Sequence, residues 1–292
     1  MKLREIYEQH YKKLLIIPFS LLLFAFIQIS VQYAATGDFV NRGISLKGGS
    51  TITFEYHPSF NAADIEKALQ EKFPKAQLTL RTLTSAGRTI GFALDADAQE
   101  GEEINALLTV LKQLTKLDKE KFSVEVTGSS LSESFFQQTI TALLIAFLLM
   151  GIVVLLYFRT IAPTMAVIMA AFSDIVVTLA IFNLTGIKLS TAGIAAFLML
   201  IGYSVDTDIL LSTRMLRRTD VLMMQRIYSS IKTGLTMTGT SLAAILIAMI
   251  MVPNEVVRQI MIILFIGLLV DIVMTYIQNV GILRMYLEGK AK

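Results

Sequence analysis

Apolar positions along the chain gather into six long runs, interrupted once by an interval of short-period alternation. The runs are Leu14–Val31, Phe136–Phe158, Ile161–Phe182, Leu189–Leu211, Gly234–Val252 and Val256–Leu283, each of 18 residues or more. At ~1.5 Å per residue every one reaches across a bilayer core of ~30 Å with little tilt, so six transmembrane helices are predicted. Pro163 falls in the first turn of its helix and Pro253 in a tight external link, where a missing N–H costs little. Lys2, Arg4, Lys12 and Lys13 before the first run have the look of a signal-peptide n-region. The run that follows is longer than the ~7–15 residues of a signal h-region, which favours an uncleaved first helix.

Between the first two runs, residues 36–134 read as a small folded domain. Thr51–Tyr56 alternates with period two, as a half-buried strand does. Asn61–Lys72 places Ile65, Ala68, Leu69 and Phe73 at helical spacing and stops before Pro74. Leu78–Leu83 and Thr89–Leu94 are strands joined through Ser85-Ala86-Gly87; Glu102–Leu117 is a helix with a leucine-rich face, and Phe122–Val126 a last strand. The order β-α-β-β-α-β is the ferredoxin-like split unit, which predicts one antiparallel sheet with two helices on one face. Its 11 basic and 14 acidic residues read as a solvated surface rather than a catalytic centre.

Composition supports the membrane reading: the chain is 54% hydrophobic and 17% charged, against ~25% charged in a soluble domain. The fold class expected is therefore an α-helical polytopic membrane protein with an α+β ferredoxin-like domain between helices one and two. Its divisions are residues 1–35, 36–134 and 135–292. Having no cysteine and only His10 and His57 as histidines, the chain offers no disulfide, thiol chemistry or histidine-rich metal site, and no cofactor is implied. The net charge of +3 does not point to nucleic acid, because the basic residues sort by topology. With the N-terminus inside, the inner segments hold thirteen of them and the two short outer loops only Lys188 and Arg258. Both termini are thus expected in the cytoplasm and residues 36–134 outside the cell membrane.

Candidate chemistry lies within the runs. Asp174, Asp206, Asp208 and Asp271 sit inside spans three, four and six, and Arg214 marks the inner edge of span four. A charged side chain at membrane depth costs at least ~2.5–3.5 kcal/mol on insertion scales, so such residues face protein or water and commonly serve ion pathways. Counted from the inner helix ends, Asp174, Asp206 and Asp271 lie roughly 12–18 Å deep. Asp206 and Asp208 are about 200° apart around their helix. Asp206 shares a face with Gly202, Leu210 and Arg214; Asp208 shares one with Ile201, Ser204 and Ser212. Burial and like charge favour the protonated form of a carboxyl group, which a proton relay requires. The plainer alternative is that the acids only hydrogen-bond neighbouring helices. With no deep lysine or arginine, they are either protonated or paired with another chain. Gly193, Ala195, Ala196 and Gly202 on span four, with Gly234, Thr236, Thr238, Gly239, Thr240 and Ser241 on span five, are expected to let helices approach closely.

A six-helix chain with one large external ferredoxin-like insert resembles half of an RND-superfamily transporter, and specifically the SecD/SecF protein-export family in its archaeal form. Gly202-Tyr203-Ser204-Val205-Asp206-Thr207-Asp208 followed by Arg214 is similar to that family's fourth-helix signature, Gly-Tyr-Ser-hydrophobic-Asn-Asp-Thr with an arginine six residues on. Aligned without gaps, Arg214 matches the arginine, Asp206 takes the Asn position and Thr207 the Asp position. Leu46-Lys47-Gly48-Gly49-Ser50 resembles the Asp-x-x-Gly-Gly motif, with Ser45 in place of the acid and Gly48 and Gly49 in a backbone role. Ser173-Asp174-Ile175 matches the third-helix His-Asp element without its histidine.

The resemblance implies a non-enzymatic subunit that pairs with SecD to complete a twelve-helix unit beside a SecY-type channel. That unit helps pull or release unfolded exported polypeptides on the outer side. In the bacterial system the proton gradient drives it, with the proton path at the interface of the halves, surrounded by membrane lipids. Three other classes stay open at this point. One is a half-sized RND exporter of lipids or small molecules, although the outer loop between spans three and four is only about 7 residues. A second is an aspartyl intramembrane protease, whose Gly-x-Gly-Asp element is absent from Gly202–Asp206. The third is a passive assembly subunit whose carboxylates only hydrogen-bond SecD.

Overall fold

A computed structural model describes residues 7–57, 61–74, 76–85, 88–115, 121–217, 221–252 and 254–290. Among the described residues six helices are long and apolar enough to cross a membrane: Tyr11–Thr36, Ser129–Phe158, Ile161–Leu184, Thr191–Leu216, Met223–Met251 and Val256–Lys290. They are called spans one to six. Pro253, Ala86 and Gly87 at the tip of the hairpin turn, Leu117 at the expected helix end, and the basic residues Lys2, Arg4, Arg218 and Lys292 lie outside the described residues.

Two spans run beyond their apolar stretch. Span five starts at Met223 rather than Gly234, because Gln225, Arg226, Ser229 and Lys232 lower the hydropathy of a turn sequence that is still helical. Span six continues to Lys290. Its start is fixed locally by Asn254, whose side-chain oxygen accepts from the backbone N–H of Val256 at 2.9 Å and of Val257 at 3.2 Å. Spans three, four and six form the buried inner layer of the bundle, with Ala166, Ala170, Ala180, Leu200, Leu211 and Ile263 wholly enclosed. Span two instead exposes Leu144, Leu148, Val153 and Leu156 along its length, the surface a bilayer or another subunit would cover.

The domain between spans one and two is a four-stranded antiparallel sheet of β1 (Gly49–Glu55), β2 (Leu78–Ser85), β3 (Arg88–Ala96) and β4 (Phe122–Thr127). The strand order β2-β3-β1-β4 is the ferredoxin-like order. Alternate residues point to one face: Ile52 pairs with Leu94 and Val124, and Phe54 with Phe92 and Phe122. That face is covered by α1 (Ala62–Lys72) through Ile65 and Leu69, and by α2 (Gly101–Thr115) through Ile104, Leu107, Leu108 and Leu111. Asn61 caps α1 by accepting from the Ala63 N–H at 3.2 Å. Both chain connections leave the sheet side by side, since Gly49 pairs with Thr127. Gly48 and Gly49 have φ of +88° and +148°, and a Cβ on Gly48 would fall 2.6 Å from Ser129 Cα. Only glycine lets the entering chain cross the start of span two this closely.

A second attachment joins the domain to the bundle. Asn41–Gly43 pairs with the loop between spans three and four: the Leu189 N–H donates to the Asn41 carbonyl at 2.6 Å, and the Gly43 N–H to the Leu189 carbonyl at 2.8 Å. Lys188 Nζ donates to Thr79 Oγ1 on β2 at 3.1 Å, and the Lys188 carbonyl accepts from Gln259 Nε2 on span six at 2.6 Å. Among the described residues the sheet domain is thus tied to the bundle both at its neck and through the loop at Lys188 and Leu189.

Candidate functional site

The inner layer buries three of the four intramembrane acids in one cluster. Asp174 on span three, Asp208 on span four and Asp271 on span six are each wholly enclosed. Ser204 Oγ donates to Asp174 Oδ2 at 2.5 Å. Thr207 Oγ1 lies 3.1 Å from Asp271 Oδ2 and also 2.8 Å from the Ser204 carbonyl. Thr275 Oγ1 lies 2.9 Å from Asp208 Oδ1 and 3.0 Å from Asp271 Oδ1. Asn279 Nδ2 donates to Asp208 Oδ1 at 2.7 Å, and Gln278 Nε2 to Ser173 Oγ at 3.1 Å. The cluster is thus closed by hydroxyls and carboxamides from spans three, four and six. Among the described residues no ion pair reaches any of its three carboxyl groups.

Helix geometry decides which acids take part. Ile201, Ser204, Asp208 and Ser212 are all buried, so this side of span four faces spans three and six. Asp206, on the other side, is exposed together with Gly202 and Tyr203. Arg214 is also apart: its guanidinium donates to the Ser229 carbonyl at 2.7 Å and to Thr233 Oγ1 at 2.9 Å, joining span four to span five. Thr207 is inside the cluster, beside Asp271.

The small residues of spans four and five divide between close packing and exposure: Gly193, Ala196, Gly234 and Thr238 are buried, and a Cβ on Gly193 would fall 3.0 Å from Gln259 Oε1 and 3.2 Å from Ile263 Cδ1 on span six. A Cβ on Gly202 or Gly239 would meet nothing within 4 Å, and Thr236 and Thr240 are exposed. Of the small residues picked out on span five, Gly234 and Thr238 turn inward. The reason is that span five packs against the bundle along one narrow side, and most of its small residues lie on the other.

Sequence reasoning missed Thr275, Gln278 and Asn279. Their signal was present: Asp271, Thr275 and Asn279 recur every fourth residue in an otherwise apolar helix, which places them on one face. The local backbone was not readable. Met274–Asn279 is a π-helical turn inside span six, with a wider i→i+5 hydrogen-bond pattern.

Comparison with known proteins came out consistently. The family description "Protein export membrane protein SecD/SecF, C-terminal" matches residues 106–289. The protein-export membrane protein SecF of Pyrococcus furiosus is 39% identical, covering 99% of this chain and 96% of that protein. The SecF of Methanocaldococcus jannaschii is 34% identical, covering 97% and 98%. Among solved structures, SecDF of Thermus thermophilus, described as a translocon-associated membrane protein, superimposes with a TM-score of 0.68 at 21% identity. That match covers 97% of this chain and 39% of the SecDF chain, so the present chain spans about two-fifths of that molecule.

Proposed function

The chain belongs to the SecD/SecF family of protein-export membrane proteins, among its SecF members, and acts in protein translocation across the membrane; on that footing we propose that it pairs with a SecD-type half and handles protons at the Asp174–Asp208–Asp271 cluster. Family membership displaces the exporter of lipids or small molecules as the reading of the topology.

A count of hydrogens supports the proton role. Thr275 has one hydroxyl hydrogen, yet its oxygen lies within hydrogen-bonding distance of both Asp208 and Asp271. The second contact is a hydrogen bond only when one carboxyl group brings its own proton. Thr207 repeats the shortage, with its single hydrogen between the Ser204 carbonyl and Asp271. Three ionised acids at this depth, without a cation, would also be opposed by desolvation and mutual repulsion. The cluster therefore holds at least one proton and exchanges it when water reaches the site.

The exposed face of span four around Gly202, Tyr203 and Asp206 is the surface offered to the SecD-type half. A basic group there would pair with Asp206. The bias of basic residues puts both termini in the cytoplasm and the domain at 36–134 outside, where unfolded chains emerge from a SecY-type channel. No step in this role makes or breaks a covalent bond of the substrate, so the subunit is not an enzyme.

A passive role is the second reading, and one observation favours it: Asp208 Oδ1 accepts from both Thr275 and Asn279, as a purely structural acceptor would. Asp208→Asn and Asp271→Asn, assembled with the partner half in vesicles, separate the two. The proton reading expects normal assembly and loss of the gradient-stimulated part of export. Normal gradient-stimulated export in both variants overturns it, and failure to assemble assigns the acids to structure.

A further inference from the structure

The N-terminal segment reaches the back of the carboxylate cluster through one hydrogen bond. The Tyr7 hydroxyl donates to the carbonyl oxygen of Tyr276 at 2.7 Å. Tyr276 lies within the π-turn Met274–Asn279. In an α-helix the Val280 N–H would take the carbonyl four residues back, which is that of Tyr276. Here it is directed instead to the Thr275 carbonyl, five back, and to that of Ile277. The widened turn thus releases the Tyr276 carbonyl from its α-helical donor, and Tyr7 occupies it. A buried carbonyl without a donor carries a desolvation penalty, so the turn and the tyrosine stabilise each other.

Other contacts make the segment a fixed support. Arg284 donates to the Tyr7 carbonyl at 3.2 Å and to the Glu8 carbonyl at 3.1 Å, and its guanidinium lies 3.9 Å from the centre of the Tyr11 ring. The Tyr228 hydroxyl donates to Glu8 Oε1 at 2.9 Å. On the other side of the turn, the Tyr276 hydroxyl rests against Gly234, where a Cβ would collide with it.

We propose that Tyr7 is a positioning residue for the buried cluster: by bonding the carbonyl released at Tyr276 it keeps the π-turn open, and the open turn sets Thr275 and Asn279 against Asp208 and Gln278 against Ser173. Without that bond the released Tyr276 carbonyl is a buried acceptor short of a donor, and the turn loosens. A loosened turn no longer fixes these three side chains relative to Asp208 and Ser173. Because Arg284, beyond the turn, holds the backbone of Tyr7 and Glu8, a pull on the N-terminal segment is felt inside the membrane layer. The functional half of this inference rests on the proton-handling reading of the cluster; the structural half does not.

Tyr7→Phe keeps the ring and removes only the hydroxyl. In the full chain assembled with its SecD-type partner, amide hydrogen exchange over residues 275–281 should become about fivefold faster, the factor one lost hydrogen bond is worth. The infrared carboxyl band of Asp208, C=O or carboxylate stretch, identified by its disappearance in Asp208→Asn, should also shift in Tyr7→Phe, because the donors to Asp208 have moved. Gly234→Ala, which displaces Tyr276 from the opposite side, should reproduce both changes even though alanine is the better helix former. Unchanged exchange at 275–281 in Tyr7→Phe overturns the support of the turn. Faster exchange with an unshifted band overturns the positioning of Asp208. Both changes present with normal gradient-stimulated export leave the positioning standing and sink the proton-handling reading instead. Should Tyr7→Phe fail to assemble, the Gly234→Ala result decides by the same criteria.

Discussion

Asp206 and Asp208 stand two residues apart on span four and occupy opposite environments: Asp208 is fully enclosed against Thr275 and Asn279, while Asp206 is exposed beside Gly202. The separation follows from about 100° per residue of an α-helix. Substitution should therefore give different failures. Asp206→Lys places a cation where a basic group of the partner half is expected, and like charge across an interface is strongly unfavourable. Recovery of the assembled complex should fall sharply, while Asp206→Asn should weaken it only modestly. Co-purification yield from detergent-solubilised membranes checks this. Equal yields for Asp206→Lys and the native chain would place the partner half elsewhere.

Much of this architecture was legible in the sequence because membrane spans and half-buried strands impose periods that a single chain displays. The six apolar runs, the alternation at Thr51–Tyr56 and the leucine face of Glu102–Leu117 each translate directly into an element. The cluster was half legible. Asp174, Asp208 and Asp271 stand out against apolar neighbours, and helical spacing already put Asp208 with Ser204 and Ser212. Which face of span four turned inward was not readable, since that depends on how spans three and six pack against it. The π-turn was hidden for a different reason: Met274–Asn279 has no proline or glycine to break an α-helix, and its widened form is held by Tyr7, some 269 positions away. Gly202, expected to let helices approach closely, is exposed instead, because which side of span four turns inward depends on the same packing.

Thr275 is the hydroxyl shared by two carboxyl groups, and replacing it separates geometry from hydrogen bonding. Thr275→Val preserves the branched shape and leaves buried acceptors without a donor, which costs about 1–3 kcal/mol. Thr275→Ser keeps the hydroxyl and loses one methyl group, about 1 kcal/mol. Thermal unfolding of the assembled complex should rank the native chain first, then Ser, then Val, and gradient-stimulated export should be retained in Ser and lost in Val. Export retained in Val would mean that the shared hydroxyl is not needed for proton exchange.

Lys188 connects the four-stranded sheet to span six by two bonds, its ammonium to Thr79 and its carbonyl from Gln259. Its side chain is half-buried, and that burial pulls the ammonium below its ordinary lysine range while the acids Asp97 and Asp95 support the charge. Lys188→Ala removes the side-chain bond and leaves the backbone one. The native chain has no cysteine, so thiols introduced at Glu71 and Thr185 can carry the only spin labels. The distance distribution between them should broaden in Lys188→Ala without a change in the fold of the domain. An unchanged distribution would show that the neck at Gly48 and Gly49 and the backbone pairing at Leu189 fix the domain without the Lys188 side chain.

The strap that precedes the sheet is held by charge and should respond to acid. Asp38 lies 2.5 Å from the Arg42 guanidinium and 2.9 Å from Lys47 Nζ, and Arg42 also reaches Glu133 at 2.5 Å. Burial by itself would raise Asp38, but the bonds from Lys47 and Arg42 outweigh it and hold the carboxyl below the usual carboxylate range. A carboxyl group depressed in the folded state binds fewer protons than in the unfolded state, so its stabilisation is fully present above the unfolded value of ~3.9 and is lost as pH falls through the lower folded value. Exchange protection of amides at Gly43, Leu46 and Lys47, whose N–H groups bond within the strap or to Leu189, should therefore hold at neutral pH and decay only under strong acid. Asp38→Asn should weaken the pH dependence to what the Arg42–Glu133 pair supplies and lower the neutral-pH protection towards the acid level. If protection in Asp38→Asn equals the native level at neutral pH, the backbone pairing with Leu189 holds the strap without help from the ion pairs.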